Sequence, residues 1–309
     1  MLFQLKKALN LLTPPVVMAY RAYGTRSEVH IRGHVLDDRM LYEAQRHDRR
    51  RKNLKAMLSR YMSSSIPHVR VQVNFCGRRY ILKTDEHGHF HKKLTFDPPL
   101  QETGWIPIHY RVVDDIEPEQ PNPEKTGEVY VWNNNSDFGV VSDVDDTILI
   151  SHATEDLKKL RLILTKNAKT RLPFTGVASF YHALRTGRGE NSENPIFYVS
   201  SSEWNLYDFL VDFCQARSIP KGPFLLQNLK RNLWELLWSG GGSHHHKAEK
   251  IKHLLDVFPD LKFILIGDSG QRDPELYTDV AEAYPGRILA IYIRDVAGRK
   301  GREKVEECA

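Results

Sequence analysis

Two kinds of hydrophobic spacing divide the chain. From about residue 27, apolar positions recur at every second residue in Glu28–Gly33, Val69–Phe75 and Arg79–Leu82, the last two joined across Cys76–Gly77. A period of two sends side chains alternately to a buried and a wet face, so these segments predict half-buried strands. His89–Phe96 and Ile106–Val113 extend the series, with Gly88 and Pro98–Pro99 as punctuation. Together they predict a small β-sandwich of about 100 residues. Beyond residue 135 the apolar positions fall instead into unbroken runs: Phe138–Asp143, Ile196–Ser200, Phe224–Gln227, Lys262–Asp268 and Arg287–Arg294. Helix-period stretches lie near 154–166, 176–186, 203–217, 247–257 and 274–284. Continuous apolar strands alternating with helices predict an α/β fold with a mostly parallel sheet, whose ligands bind at the carboxyl ends of the strands.

The stretch Asp114–Gly127, rich in proline and acid, reads as a linker or long surface loop. A strand Glu128–Trp132 and an asparagine turn follow it, which sets the domain boundary near residue 135. The expected organisation is thus an N-terminal segment (1–26), a β-sandwich-like domain (27–135) and an α/β domain (136–309). In the N-terminal segment Leu2, Phe3, Leu5, Leu9 and Leu12 fit an amphipathic helix, cut off by Pro14 and Pro15. A secretory signal fits poorly, because the apolar core is interrupted and Lys6 and Lys7 sit deep. Docking on the protein or disorder is the expectation, with a surface anchor as the alternative.

Composition narrows the classes. With 41% hydrophobic and 27% charged residues the chain is globular, and it has no run of 18 apolar residues to span a bilayer as a helix. Three scattered cysteines make no disulfide framework and have no metal-ligand spacing, which suits a reducing compartment. A net charge of +5 mildly favours anionic partners. The basic run Arg46–Lys55 fits either a polyanionic surface or a solvated helix face. No nucleic-acid-binding motif accompanies it, so no nucleic acid is expected.

The chemistry concentrates at strand ends. Phe138–Thr147 reads FGVVSDVDDT, a short apolar strand delivering Asp143, Asp145, Asp146 and Thr147. Crowded carboxylates repel one another unless a cation or anchored donors offset them, and hard oxygen ligands suit magnesium. If the strand ends at Asp143 and the chain then turns, Asp143 and Asp145 face one volume as nucleophile and proton donor. The plainer alternative is an acidic loop capping the next helix. A second apolar strand ends in GDSGQRDPE, which places Asp268 at its end and Asp273 five residues on. Asp273, before Pro274, also has the signature of a helix N-cap. A third strand ends in Ser200–Ser201–Ser202, hydroxyls beside a helix start that suit a phosphate, with Ser202 as the expected cap. Lys247 opens a further helix, where a cation opposes the macrodipole unless an anion lies near. The preceding Gly240–His246 reads as a mobile loop.

A strand ending in DxDxT, a strand ending in serine, a lysine and a strand ending in GDxxxxD, in that order, resemble the haloacid dehalogenase superfamily of phosphotransferases. More narrowly, VVSDVDDTI, YVSSSEWNLYDF and IGDSGQRDPELY resemble the phosphatidate phosphatase catalytic domain of the fungal actin-patch protein and its bacterial relatives, over about residues 137–296. The resemblance implies a Rossmann-like parallel sheet with a small cap or none. It implies Asp143 as nucleophile, Asp145 as general acid and base, Thr147 as an orienting residue, and Ser200, Ser201 and Lys247 as phosphoryl-binding groups. It also implies Mg2+ held by the Asp143 carboxylate, the Asp145 backbone carbonyl and Asp268, with Asp273 completing the site. The expected activity is magnesium-dependent hydrolysis of phosphatidate to diacylglycerol and phosphate through an aspartyl phosphate. The alternatives are a phosphatase of soluble or protein phosphomonoesters and a non-enzymatic membrane-associated scaffold. A cytoplasmic location with peripheral contact at the inner membrane surface accompanies the lipid reading. Leu229, Leu233, Leu236 and Leu237, with Trp234 and Trp238, form an apolar face that either meets lipid or packs on its own domain.

Overall fold

The computed structural model describes residues 14–37, 65–116, 124–144, 176–187, 193–227 and 244–296. These fall into two compact units that divide between Asn133 and Asn134. The first holds eight strands: β1 (Pro15–Ala19), β2 (Ala22–Gly24), β3 (Glu28–Asp37), β4 (Arg70–Phe75), β5 (Arg78–Lys83), β6 (His89–Thr95), β7 (Gly104–Val112) and β8 (Glu124–Val131). All eight join one hydrogen-bonded sheet in the order β1-β3-β2-β8-β7-β4-β5, with β6 also on β3. The pairing of β2 with β8 is parallel and makes the sheet mixed. Strand β3 anchors it because period two places Val29, Ile31 and Val35 on one face, all fully buried, against Val71, Val73, Ile108 and Val129.

Two expectations are corrected here. Residues 15–19, expected within a docked or disordered segment, form strand β1, and Ala22–Gly24 form β2. Val16, Val17 and Met18 pair antiparallel with Leu36, Val35 and His34, so partnership with the long β3 decides their conformation. Strand β8 begins at Glu124, inside the expected linker, because Glu124–Gly127 continues the ladder opposite Arg111–Ile108. Gly127, expected to close that linker, is needed for close approach: a Cβ there would lie 2.9 Å from the Ala19 side chain and 3.0 Å from the Tyr110 ring.

The second unit carries five strands, β9 (Gly139–Asp143), β10 (Ile196–Glu203), β11 (Phe224–Gln227), β12 (Phe263–Asp268) and β13 (Ile288–Arg294). Among the described residues four helices accompany them: α1 (Val177–Thr186), α2 (Tyr207–Ala216), α3 (His244–Val257) and α4 (Asp273–Ala283). The sheet order is β11-β10-β9-β12-β13, and every pairing is parallel. Every residue of β9 is buried, as a central parallel strand requires. Val140 and Val141 pair with Ile196 and Phe197 on one side and with Ile264 and Leu265 on the other. This register brings the ends of β9, β10 and β12 to one edge, and with them Asp143, Ser200 and Asp268. The His244–His246 stretch, expected to be a loop, is the first turn of α3. The N-terminal leucines, the basic run Arg46–Lys55, the helix near 154–166 and the Leu229–Trp238 face lie outside the described residues.

Candidate active site

Asp143, at the end of the central strand, is 1% exposed, and Asp268 and Asp273 are fully buried. One carboxylate oxygen from each of the three lies within 4.8 Å of the others. Lys247, in the first turn of α3 and equally buried, stands between two of them. Its Nζ is 2.9 Å from Asp143 Oδ1 and also bonds Asp273 Oδ1. Burial by itself pulls an ammonium's pKa down; here the charges and hydrogen bonds of Asp143 and Asp273 outweigh it, and the pKa of Lys247 is raised. The cation expected to oppose the α3 macrodipole therefore has its anions close by. Three buried acids against this one ammonium leave negative charge over, and the donors are hard oxygens. That set fits a hard divalent cation.

The loop after β12 orients the second acid. Asp268 Oδ1 accepts the Gly270 and Gln271 backbone N–H groups at 2.7 and 3.1 Å, and Oδ2 accepts the Gln271 side-chain amide at 3.2 Å. Asp273 is not the N-cap of α4, as its Asp-Pro sequence suggested. It is the helix's first residue, Arg272 holds the cap position without a side-chain bond, and Pro274 follows in the first turn. The Asp273 carboxylate turns inward instead: Oδ2 accepts the Asp268 N–H at 3.2 Å, and Oδ1 accepts Lys247. Gly267 makes room for it, since a Cβ there would press on the Asp273 carboxylate and come within 2.8 Å of the Tyr277 ring. Tyr277 backs this wall and donates to Ile266 O at 3.0 Å. Its pKa is pushed well up, by burial first and then by the charges of Asp273, Asp143 and Asp268.

Ser200 is fully buried, whereas Ser201 and Ser202 are half-buried. The Ser200 Oγ accepts the Ser202 N–H at 2.8 Å, which tightens the strand end. Its carbonyl accepts Lys250 Nζ at 2.8 Å. Ser202 is not a helix cap: β10 runs on to Glu203, and a short 3-10 turn, Trp204–Leu206, precedes α2. The structure therefore assembles Asp143, Lys247, Asp268 and Asp273 directly. Asp145, Asp146 and Thr147 lie outside the described residues.

Sequence reading passed over Ser142 and Tyr181. Ser142 Oγ donates to the Asp143 carbonyl at 2.7 Å and also bonds the Tyr181 hydroxyl. A hydroxyl one position before the first acid, inside an otherwise apolar run, was the available signal. Lys250, one helical turn after Lys247, was passed over as well.

The model of the family described as "Phosphatidate phosphatase APP1, catalytic domain" matches residues 138–295. Phosphatidate phosphatase APP1 of Saccharomyces cerevisiae is 28% identical over 252 residues, 78% of this chain and 40% of the yeast protein. An uncharacterised protein of Schizosaccharomyces pombe is 27% identical over 173 residues, 55% of this chain and 27% of its own. The chain thus spans well under half the length of these curated relatives. A chain of the Pnkp1/Rnl/Hen1 complex has a TM-score of 0.34 at 11% identity, covering 59% of this chain and 57% of its own, a likeness too slight to bear on fold or function.

Proposed function

The chain belongs to the family of the phosphatidate phosphatase APP1 catalytic domain, and from that premise we propose that it hydrolyses phosphatidate to diacylglycerol and phosphate with Mg2+ as cofactor. The observation that carries the reading is the convergence of Asp143, Asp268 and Asp273 around Lys247 at the carboxyl edge of a parallel sheet. In this proposal residues 136–309 form a phosphatase domain of the haloacid dehalogenase type, and residues 27–135 form a β-sandwich-like domain before it.

The proposed roles follow from geometry and from chain order. Asp143 attacks phosphorus; the phosphorus–oxygen ester bond breaks, and Asp145 gives its proton to the departing alkoxide. Asp145, now a carboxylate, takes a proton from water as the water oxygen attacks the aspartyl phosphate. The phosphorus–Asp143 bond then breaks and inorganic phosphate leaves. Lys247 holds Asp143 in place and offers positive charge to the phosphoryl group, while Ser200 and Ser201 line the phosphate side and Thr147 orients the acidic loop. Asp143, Asp145, Asp268 and Asp273 would hold the magnesium, which when bound supplies further positive charge at the phosphoryl oxygens.

The test is phosphate release from phosphatidate in mixed micelles, with magnesium or with chelator, for the native chain and Asp143→Asn. Metal-dependent release is expected, falling at least 1,000-fold, on the order of a lost nucleophile, in a variant whose melting is that of a folded protein. Turnover of soluble phosphomonoesters but not of phosphatidate would keep the mechanism and overturn the substrate.

A further inference from the structure

We propose that Tyr181 and Ser142 form a hydroxyl relay that fixes the backbone carbonyl of Asp143, so that both act as positioning residues for the phosphoryl-transfer step. The inference rests on the reading of Asp143 as nucleophile. Strand β9 is Gly139-Val140-Val141-Ser142-Asp143, wholly buried, with its one hydroxyl directly before the acid. A buried hydroxyl costs stability unless it is bonded, and valine would fill a central strand with no such demand.

The direction of the relay follows from proton counting. Ser142 has a single hydroxyl hydrogen, which it donates to the Asp143 carbonyl at 2.7 Å. Its bond with the Tyr181 hydroxyl must therefore have the tyrosine as donor. Burial, and after it the charge of Asp143, keeps Tyr181 protonated far above neutral pH, although the Ser142 bond works the other way. The chain of donors is thus Tyr181 to Ser142 to the Asp143 carbonyl.

The effect is to hold Asp143 from two sides. Alternation along β9 sends the Ser142 and Asp143 side chains to opposite faces of the sheet. On one face Lys247 of α3 holds the Asp143 carboxylate; on the other Tyr181 of α1 reaches Ser142. Because a peptide unit is planar, fixing that carbonyl also fixes the Asp143–Val144 plane, from which the chain departs toward Asp145. Neither residue touches the reacting atoms, so the contribution is alignment. An attacking oxygen displaced by about 1 Å costs on the order of 100-fold, and a slackened carbonyl displaces it by less.

The experiment compares kcat, KM and melting temperature for the native chain, Tyr181→Phe, Ser142→Ala, Ser142→Thr and the Tyr181→Phe/Ser142→Ala double variant, on phosphatidate and on p-nitrophenyl phosphate. Tyr181→Phe and Ser142→Ala should each lower kcat about 5- to 20-fold with KM within about twofold. Ser142→Thr, which keeps the hydroxyl, should recover most of the loss. The double variant should be no slower than Ser142→Ala, because one relay is broken once. A kcat for Tyr181→Phe within twofold of native, whatever its melting temperature, or multiplying losses in the double variant, overturns the relay. If the native chain turns over neither substrate, the functional reading has failed, and the relay is judged by amide hydrogen exchange at Val144. Faster exchange in Tyr181→Phe upholds it, and an unchanged rate removes it.

Discussion

Lys247 shows why a buried ion pair is better read as a device than as a stabiliser. Taking an ammonium out of water costs several kcal/mol, and its partners repay this only while both remain. Replacing it by methionine leaves Asp143, Asp268 and Asp273 crowded without that cation. Loss of one partner from a buried pair costs about 3–5 kcal/mol, so in chelator Lys247→Met should melt on the order of 10 °C lower. Added magnesium should stabilise the variant more than the native chain, and scanning calorimetry with and without the ion would show it; equal melting in chelator refutes the expectation. The pH dependence has a definite sign. The folded pKa of Lys247 lies above its unfolded value of about 10.4, so its contribution is complete below that pH and is lost only as pH rises through the folded value. The two strand-end acids were legible in the sequence because a carboxylate closing an apolar run is costly to bury, and a chain that places one there marks a site. Asp273 was legible locally as a cap, and as a metal ligand only through the family resemblance, because its inward turn toward Lys247 is set by a helix 26 positions away.

At the level of elements, the pairing of β3 with β6 stacks His34 on His89, ring centroids 3.9 Å apart. Burial pulls both imidazoles down, His34 well below the usual histidine value and His89 to about 4; the charge of Asp85 works the other way on His89, where Arg32 and His87 add to the lowering. Since the unfolded chain binds protons near pH 6.5 and the folded pair does not, stability is full above that pH and is lost as pH falls toward 4. Each site contributes a slope of about 1.4 kcal/mol per pH unit in that window. Urea unfolding at pH 7 and pH 5 should show the loss, and His89→Gln should reduce it; an unaltered slope would clear the pair of responsibility. Parallel strands β9 to β13 were readable to within a few residues at their starts because each is a continuous apolar run. Strands β1 and β2 were not. They are three to five residues long and depend on β3, which no local window contains. The Cys76–Gly77 hairpin was visible as a turn, and both residues take the left-handed conformation a two-residue connection requires, φ 47° and 73°.

For the molecule as a whole, a formal charge of +5 and the anionic substrate of the proposed reaction both favour contact with acidic lipid. No helix among the described residues is long and apolar enough to cross a membrane. Flotation with phosphatidate-containing vesicles should recover the native chain and lose most of a variant with Trp234 and Trp238 changed to alanine; unchanged flotation would sink that segment as the lipid contact. The position of β9 has a separate consequence. It is the middle strand of five, with β10 and β12 beside it and β11 and β13 beyond them. Among the described strands β11 and β13 are paired on one side only, so local opening is expected to begin there and to reach β9 last. The amides of Val140 and Val141 should therefore be among the last to exchange. The acid on which the proposed chemistry depends thus stands two strands in from either margin of the described sheet, where the breathing of those margins reaches it last.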